Sequence, residues 1–265
     1  ELLIKAVEIK PKNTTAIHNL ATCYKELGKL EDAKNYYNKV LEIDPRHTNT
    51  NYNLGVIFYQ LKDLKKAKSY LKKTVDLQKN FGLAFFSLGN VHADLKEYNE
   101  AMSCYQKAIE INPRIVGAHN NMGLIYRNLN DLENAVKSYQ SAIKIQPNHG
   151  GAFHNLALAY KELGNFNESI KSHQKAIEYE PENLAHCYYL SELKKDILNK
   201  DLKNKINKVF MNINLTKTNS AFGNYLLAKY ERKSKNYKKE LKFLIEGHQN
   251  YFDSMKKKFE LGIKY

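Results

Sequence analysis

The sequence has no tryptophan and little of what punctuates irregular or β-rich chains, with five prolines and twelve glycines in 265 residues. That leaves too little turn chemistry for an all-β sandwich, and it excludes collagen-like and Gly/Ser-linker compositions. Cysteine is scarce as well. Cys23, Cys104 and Cys187 are odd in number, far apart and without CxxC spacing. Neither a disulfide framework nor a zinc site is therefore suggested, and the expected compartment is reducing, that is cytoplasmic. No apolar run approaches the roughly 18 residues needed to cross a bilayer, and no signal-peptide pattern opens the chain. Glu1 stands in the middle of a helical pattern, so the chain reads as a piece of something longer. There is no P-loop, no HExxH and no assignable Ser/His/Asp arrangement, so the chain is expected to be non-catalytic by itself and to hold no cofactor or metal. What is plentiful is aromatic residues, 11% of the chain. Their abundance argues against disorder and for many small buried surfaces.

The order in the chain is periodic. Pro11, Pro45, Pro113, Pro147 and Pro181 fall on one lattice of period 34, and Lys79 occupies its remaining site. A half unit at 1-13 precedes full units at 14-47, 48-81, 82-115, 116-149 and 150-183. Position seven reads Leu20, Leu54, Leu88, Met122, Leu156, and position eight is always small: Ala21, Gly55, Gly89, Gly123, Ala157. Position fourteen is leucine throughout, and position twenty reads Ala33, Ala67, Ala101, Ala135, Ser169. Large apolar residues at this spacing make one face of a first helix, while small residues at eight and twenty let two helix backbones approach closely. Each unit is thus expected to be a helical hairpin. Asp63, Asp131 and Asn165 suit N-caps of the second helices, with Asp32, Glu100 and Glu168 in capping-box register. Gly150 and Gly151 start a repeat helix and read as a permissive turn between repeats. One hairpin cannot bury its apolar face alone, so neighbours are expected to stack into a solenoid.

These residues resemble a tetratricopeptide repeat array over 1-183. The resemblance implies an all-α, right-handed superhelical solenoid of helix-turn-helix repeats. The chain departs from the family pattern at Lys79, at His92 and His173 in place of aromatics, and in lacking tryptophan at position four. His173 is expected to be a packed, hydrogen-bonded core imidazole. In such arrays the first helices line a concave groove, with positions two, five, six, nine, twelve and thirteen facing a bound partner. Position six reads Asn19, Asn53, Ser87, Asn121, Asn155. A row of carboxamides can donate to and accept from the backbone of an extended peptide, and this one is similar to the asparagine ladder of O-GlcNAc transferases. Position five supplies His18, Tyr52, Phe86, Asn120 and His154, and position twelve Lys25, Tyr59, Ala93, Arg127 and Lys161. Family members that clamp chaperone tails carry lysine at position five of their first unit, which His18 replaces. Tyr52, Tyr59 and Phe86 instead form an aromatic middle with cationic ends, suited to a mixed acidic and apolar peptide.

Residues 184-265 carry 18 Lys+Arg against 8 Asp+Glu, most of the chain's net charge of +14. Without arginine clusters or a stacking motif this basic part is read as solvated helices, not as a nucleic-acid surface. Residues 184-198 are expected to be another first helix. A lysine-rich helix follows, with Leu202, Ile206, Val209 and Phe210 on one face, then a polar break at 216-220 and a divergent repeat at 221-254. Glu240 stands at that repeat's small position and is expected to loosen its helix pair. The order of these segments resembles the connector of bacterial proteins whose repeats are fused to a sulfotransferase domain. Two functions follow: a monomeric, non-catalytic scaffold for a protein or peptide partner, or the substrate-recruiting region of a larger sulfotransferase acting on protein tyrosine or a glycan.

Overall fold

The computed structural model describes residues 2–212 and 214–263, with side chains as far as Lys256. Among the described residues there are fifteen α-helices, one 3-10 turn at Lys195–Ile197, and no strand. The chain divides into two compact units, Glu1–Asn121 and Met122–Tyr265, and the division falls inside one helix. The first unit holds α1 (Leu2–Ile9), α2 (Thr14–Glu26), α3 (Leu30–Ile43), α4 (Thr48–Gln60), α5 (Leu64–Leu77), α6 (Gly82–Asp94), α7 (Tyr98–Ile111) and the start of α8 (Val116–Asn128). The second continues from α8 through α9 (Leu132–Ile145), α10 (Gly150–Glu162), α11 (Phe166–Tyr179), α12 (Leu184–Leu193), α13 (Lys200–Phe210), α14 (Lys217–Lys233) and α15 (Tyr237–Ile263).

Within each hairpin the turn has one conformation. Position fifteen is left-handed every time, at Gly28, Lys62, Lys96, Asn130 and Gly164, and Lys235 repeats it between α14 and α15. The following N–H then bonds back to position eleven, as in Lys29 N to Tyr24 O at 2.9 Å and Asp63 N to Phe58 O at 2.9 Å. This satisfies an orphan helix-end carbonyl. It also explains two departures from the sequence reading. Of the position-fourteen leucines, Leu27, Leu61, Leu95 and Leu163 are helix C-caps; Leu61 and Leu95 still pack against the core, while Leu27 and Leu129 are 71% and 56% exposed. In the capping-box register, the N-cap N–H that Asp32, Glu100 and Glu168 would accept is already taken by the turn, as in Glu97 N to His92 O at 2.9 Å. Asp63 and Asp131 do cap, accepting from Lys66 N at 3.0 Å and Asn134 N at 3.2 Å. Asn165 stands at the same place without a side-chain cap bond.

The core follows the small positions. All five residues at position twenty are fully buried. A Cβ on Gly89 or Gly123 would lie 2.6 or 2.5 Å from the ring of Tyr105 or Tyr139, which crosses from the second helix. Ala101→Leu should therefore overpack its hairpin and cost about 1 to 3 kcal/mol; a thermal melt coinciding with that of the parent chain would refute the packing. Ser169 keeps the approach close by donating its hydroxyl to Ala157 O at 2.7 Å. Gly150 opens α10, as the start of a repeat helix, and what requires glycine there is close approach, since a Cβ would meet the Glu180 side chain at 2.6 Å.

In the C-terminal part Leu184, Cys187, Leu198, Ile206, Val209, Leu226 and Leu227 form one core. The expected polar break at 216-220 is the first turn of α14, because Thr216 caps it by accepting from Asn219 N at 3.2 Å. Glu240 does not loosen the last pair. It is buried and accepts from Arg232 Nε at 2.6 Å, so its charge is neutralised where a small residue would have packed.

Candidate binding groove

In the first unit the groove positions are joined to each other across neighbouring repeats. Lys25 donates from Nζ to Asn53 Oδ1 at 2.9 Å, and Asn53 is buried while Asn19 is exposed. Asn121 donates from Nδ2 to Asn90 Oδ1 at 2.8 Å, and the Tyr105 hydroxyl donates to the same oxygen at 2.8 Å. Asn120 in turn donates to Asn121 Oδ1 at 3.3 Å. Asn53 and Asn121 are thus held by the preceding repeats, and a ligand would share two amides already oriented. His18 Nδ1 lies 2.8 Å from Thr50 Oγ1. Burial, then the nearby His47 and Lys25, push its pKa down to about 4, so it is a neutral strut at pH 7.

The aromatic middle is mostly packing. Tyr52 lies against Phe81 with ring centroids 4.9 Å apart, and Phe86 sits against Tyr105 at 6.0 Å. A Cβ on Gly117 would come within 2.7 Å of the Phe86 ring. Tyr59 is half-buried beside Asp94; burial and then that carboxylate push its hydroxyl pKa up to about 12. Lys62 stands over the Tyr59 ring at 5.2 Å and reaches Asp94 at 3.5 Å.

In the second unit the position-twelve cations are paired with acids of the following repeat. Arg127 grips Glu162 in a bidentate pair, Nη2 to Oε1 at 2.8 Å and Nε to Oε2 at 3.1 Å. Lys161 Nζ reaches Glu192 Oε2 at 2.6 Å. Asn155 is half-buried. His154 belongs to a buried imidazole cluster in which its Nδ1 is 3.2 Å from His186 Nδ1, and His186 Nε2 is 2.9 Å from Glu180 Oε2. Burial first, then the nearby imidazoles with Arg127 for His154 and Lys161 for His173, hold His154 near 4 and His173 near 3. His173 is fully buried as expected but not hydrogen-bonded, since neither ring nitrogen has a partner. At this position the other repeats carry Tyr37, Leu71, Tyr105 and Tyr139. The imidazole stacks parallel to Tyr189, at 6.2 Å between centroids, and like the Tyr139 hydroxyl it reaches no hydrogen-bond partner.

Sequence reasoning stopped the groove at residue 183, and the rows continue. Tyr188 and Tyr189 take positions five and six of α12, with Glu192 at position nine. Tyr189 lies 5.2 Å from His154 between ring centroids, and Tyr188 meets Phe222 at 5.3 Å and Tyr225 at 5.9 Å. Extending the register by one unit would have found the two tyrosines, because a first helix was already expected there. Phe222, Tyr225 and Lys229 carried no such signal, since α14 departs from the repeat. Among the described residues no group of His, Cys, Asp and Glu is placed to hold a metal, and no helix is long and apolar enough to cross a membrane.

Family models for the tetratricopeptide repeat match residues 13–80, 82–115, 104–137, 123–164 and 151–183. No curated protein matches the chain. Among solved structures, the chain is similar to YrrB, a TPR protein with an unusual peptide-binding site, at 25% identity over 71% of this chain and 97% of that one, with TM-score 0.60. It is similar to MamA at 28% identity over 61% of this chain and 94% of that one, with TM-score 0.57. A thermophilic TPR protein of Thermus thermophilus shares the fold at 21% identity over 68% and 98%, with TM-score 0.54. The fold is the all-α superhelix of these repeat proteins.

Proposed function

With tetratricopeptide repeats occupying residues 13–80 and 82–183, we infer that this chain is a non-catalytic interaction scaffold that binds an extended peptide or partner segment along its first helices. The observation that carries this reading is the cross-repeat bonding of the position-six amides. Lys25 holds the Asn53 oxygen, and Asn121 and Tyr105 converge on Asn90. An amide fixed before a ligand arrives loses little side-chain entropy on binding, so each hydrogen bond it makes retains more of its value. The likeness to YrrB supports peptide binding as the class of function. The sulfotransferase-connector reading of the last third rests on segment order alone.

The test takes peptides selected from a display library on the full chain and measures their affinity for two triple variants. Asn53→Ala, Asn121→Ala and Asn155→Ala together should keep the helical circular dichroism signal and weaken binding. At about 0.5 to 1.5 kcal/mol per lost bond, the change is roughly tenfold to a thousandfold. The control replaces Lys65, Lys66 and Lys72 on α5 with alanine and should change affinity little. Loss of binding in the lysine variant with retention in the asparagine variant would replace the groove by an electrostatic surface.

A further inference from the structure

In the second unit the last stretch of the groove row differs from the rest in two respects. Its floor is aromatic and only half-buried: Tyr188, Tyr189, Phe222 and Tyr225 form a chain of rings whose successive centroids lie within 6 Å. Its charges are unbalanced. Glu192 is shared by two ammonium groups, Lys161 at 2.6 Å and Lys229 at 4.0 Å, whereas Glu162 is wholly engaged by Arg127. Lys229 thus has a distant counter-ion and a hydrogen bond to Ser191 Oγ at 3.1 Å, and its Nζ stands 4.0 Å over the Tyr188 ring.

We propose that Tyr188, Tyr189 and Lys229 form a subsite for an extended peptide segment that carries an aromatic side chain next to a carboxylate. The aromatic side chain would meet the accessible edges of the half-buried Tyr188 and Tyr189 rings, whose faces are packed by Lys229 and His173, and edge-on ring contacts are favoured there. The carboxylate would complete the coordination of Lys229. A partly desolvated ammonium without a close anion gains more from a charge-assisted bond than a fully hydrated one. Burial holds the Lys229 pKa below its ordinary range, which agrees with an ammonium short of compensation. Arg127, Lys161 and Lys229 against Glu162 and Glu192 leave one surplus positive charge, which fits a single carboxylate and disfavours a chain of phosphates. The proposal rests on the groove reading above and adds the chemistry of the ligand at one end.

The experiment uses the full chain and three fluorescein-labelled dodecapeptides titrated to millimolar: alternating tyrosine and aspartate, tyrosine and asparagine, and alanine and aspartate. The first should bind at least tenfold more tightly than either of the others. Lys229→Met, which keeps the aliphatic stem over Tyr188, should remove the advantage of aspartate over asparagine. Lys208→Met on α13, with the same charge change, should leave it intact, and helical melts of both variants check folding. If Lys229→Met lowers the melt, Lys161→Met replaces it with the same expected loss. Equal affinity for the three peptides, no detectable binding, an unchanged preference in Lys229→Met, or tighter binding of a single-stranded thymidine dodecamer would each overturn the proposal. Peptides that still depend on Asn53, Asn121 and Asn155 while ignoring Lys229 would overturn this subsite and leave the groove reading standing.

Discussion

Acidification from pH 7 to pH 4 should destabilise the second unit by about 3 kcal/mol through His173 alone, and His173→Phe should remove most of that loss. Burial holds the folded pKa of His173 near 3 against the ordinary 6.5, so the folded chain keeps this ring neutral where the unfolded chain protonates it. The sign follows from that order: the contribution is intact above pH 6.5 and is lost as pH falls toward 3. The surroundings offer no relief. His154 and His186 face it as further imidazoles, Lys161 adds positive potential, and Glu180 is already spent on His186. With Glu180 ionised, His186 donates from Nε2 and its Nδ1 accepts from His154 Nδ1, an arrangement that takes up at most one proton. Phenylalanine fills a similar volume without the two unpartnered nitrogens, so the variant should also be more stable at pH 7. Hydrogen exchange of α11 and α12 amides against pH reads both effects. A His173→Phe chain that loses protection as steeply as the parent below pH 6.5 would place the acid-labile group elsewhere.

Tyr105→Ala should cost the first unit about 3 to 5 kcal/mol, the range for deleting a large buried ring. The Tyr105 side chain fills the space over Gly89, a glycine that can collapse nothing into the gap, and it supports the Phe86 ring. Its hydroxyl also donates to Asn90 Oδ1, which receives Asn121 as well. Tyr105→Phe should therefore cost only about 1 kcal/mol, the net value of one hydrogen bond. The pair of substitutions separates ring packing from the bond that holds the groove amide. Urea unfolding followed by circular dichroism measures both, and equal losses would mean that the hydroxyl dominates and the packing account is wrong.

Periodicity in the sequence determined the helical hairpins, their register and the class of fold. Residues at eight and twenty must be small wherever two helices touch, and that requirement repeats with the helices themselves. Asp63 and Asp131 were readable as caps because an N-cap bond reaches only three residues along the chain. Bonds between repeats were not readable. Lys25 with Asn53, Arg127 with Glu162 and His154 with His186 are 28, 35 and 32 residues apart, and only stacking brings them together. The sequence placed the asparagines on one row, while the tertiary structure decided that Asn53 and Asn121 are already bonded to groove residues of the preceding repeat, Lys25 and Asn90. The fate of the departures was decided there too. His173, like the Tyr139 hydroxyl of the preceding repeat, is buried where its neighbours offer no hydrogen-bond partner, and Glu240 kept its helix pair together because Arg232 lay within 2.6 Å. Whether an odd residue is a defect depends on what the next element offers it, and that is a property of the packed chain.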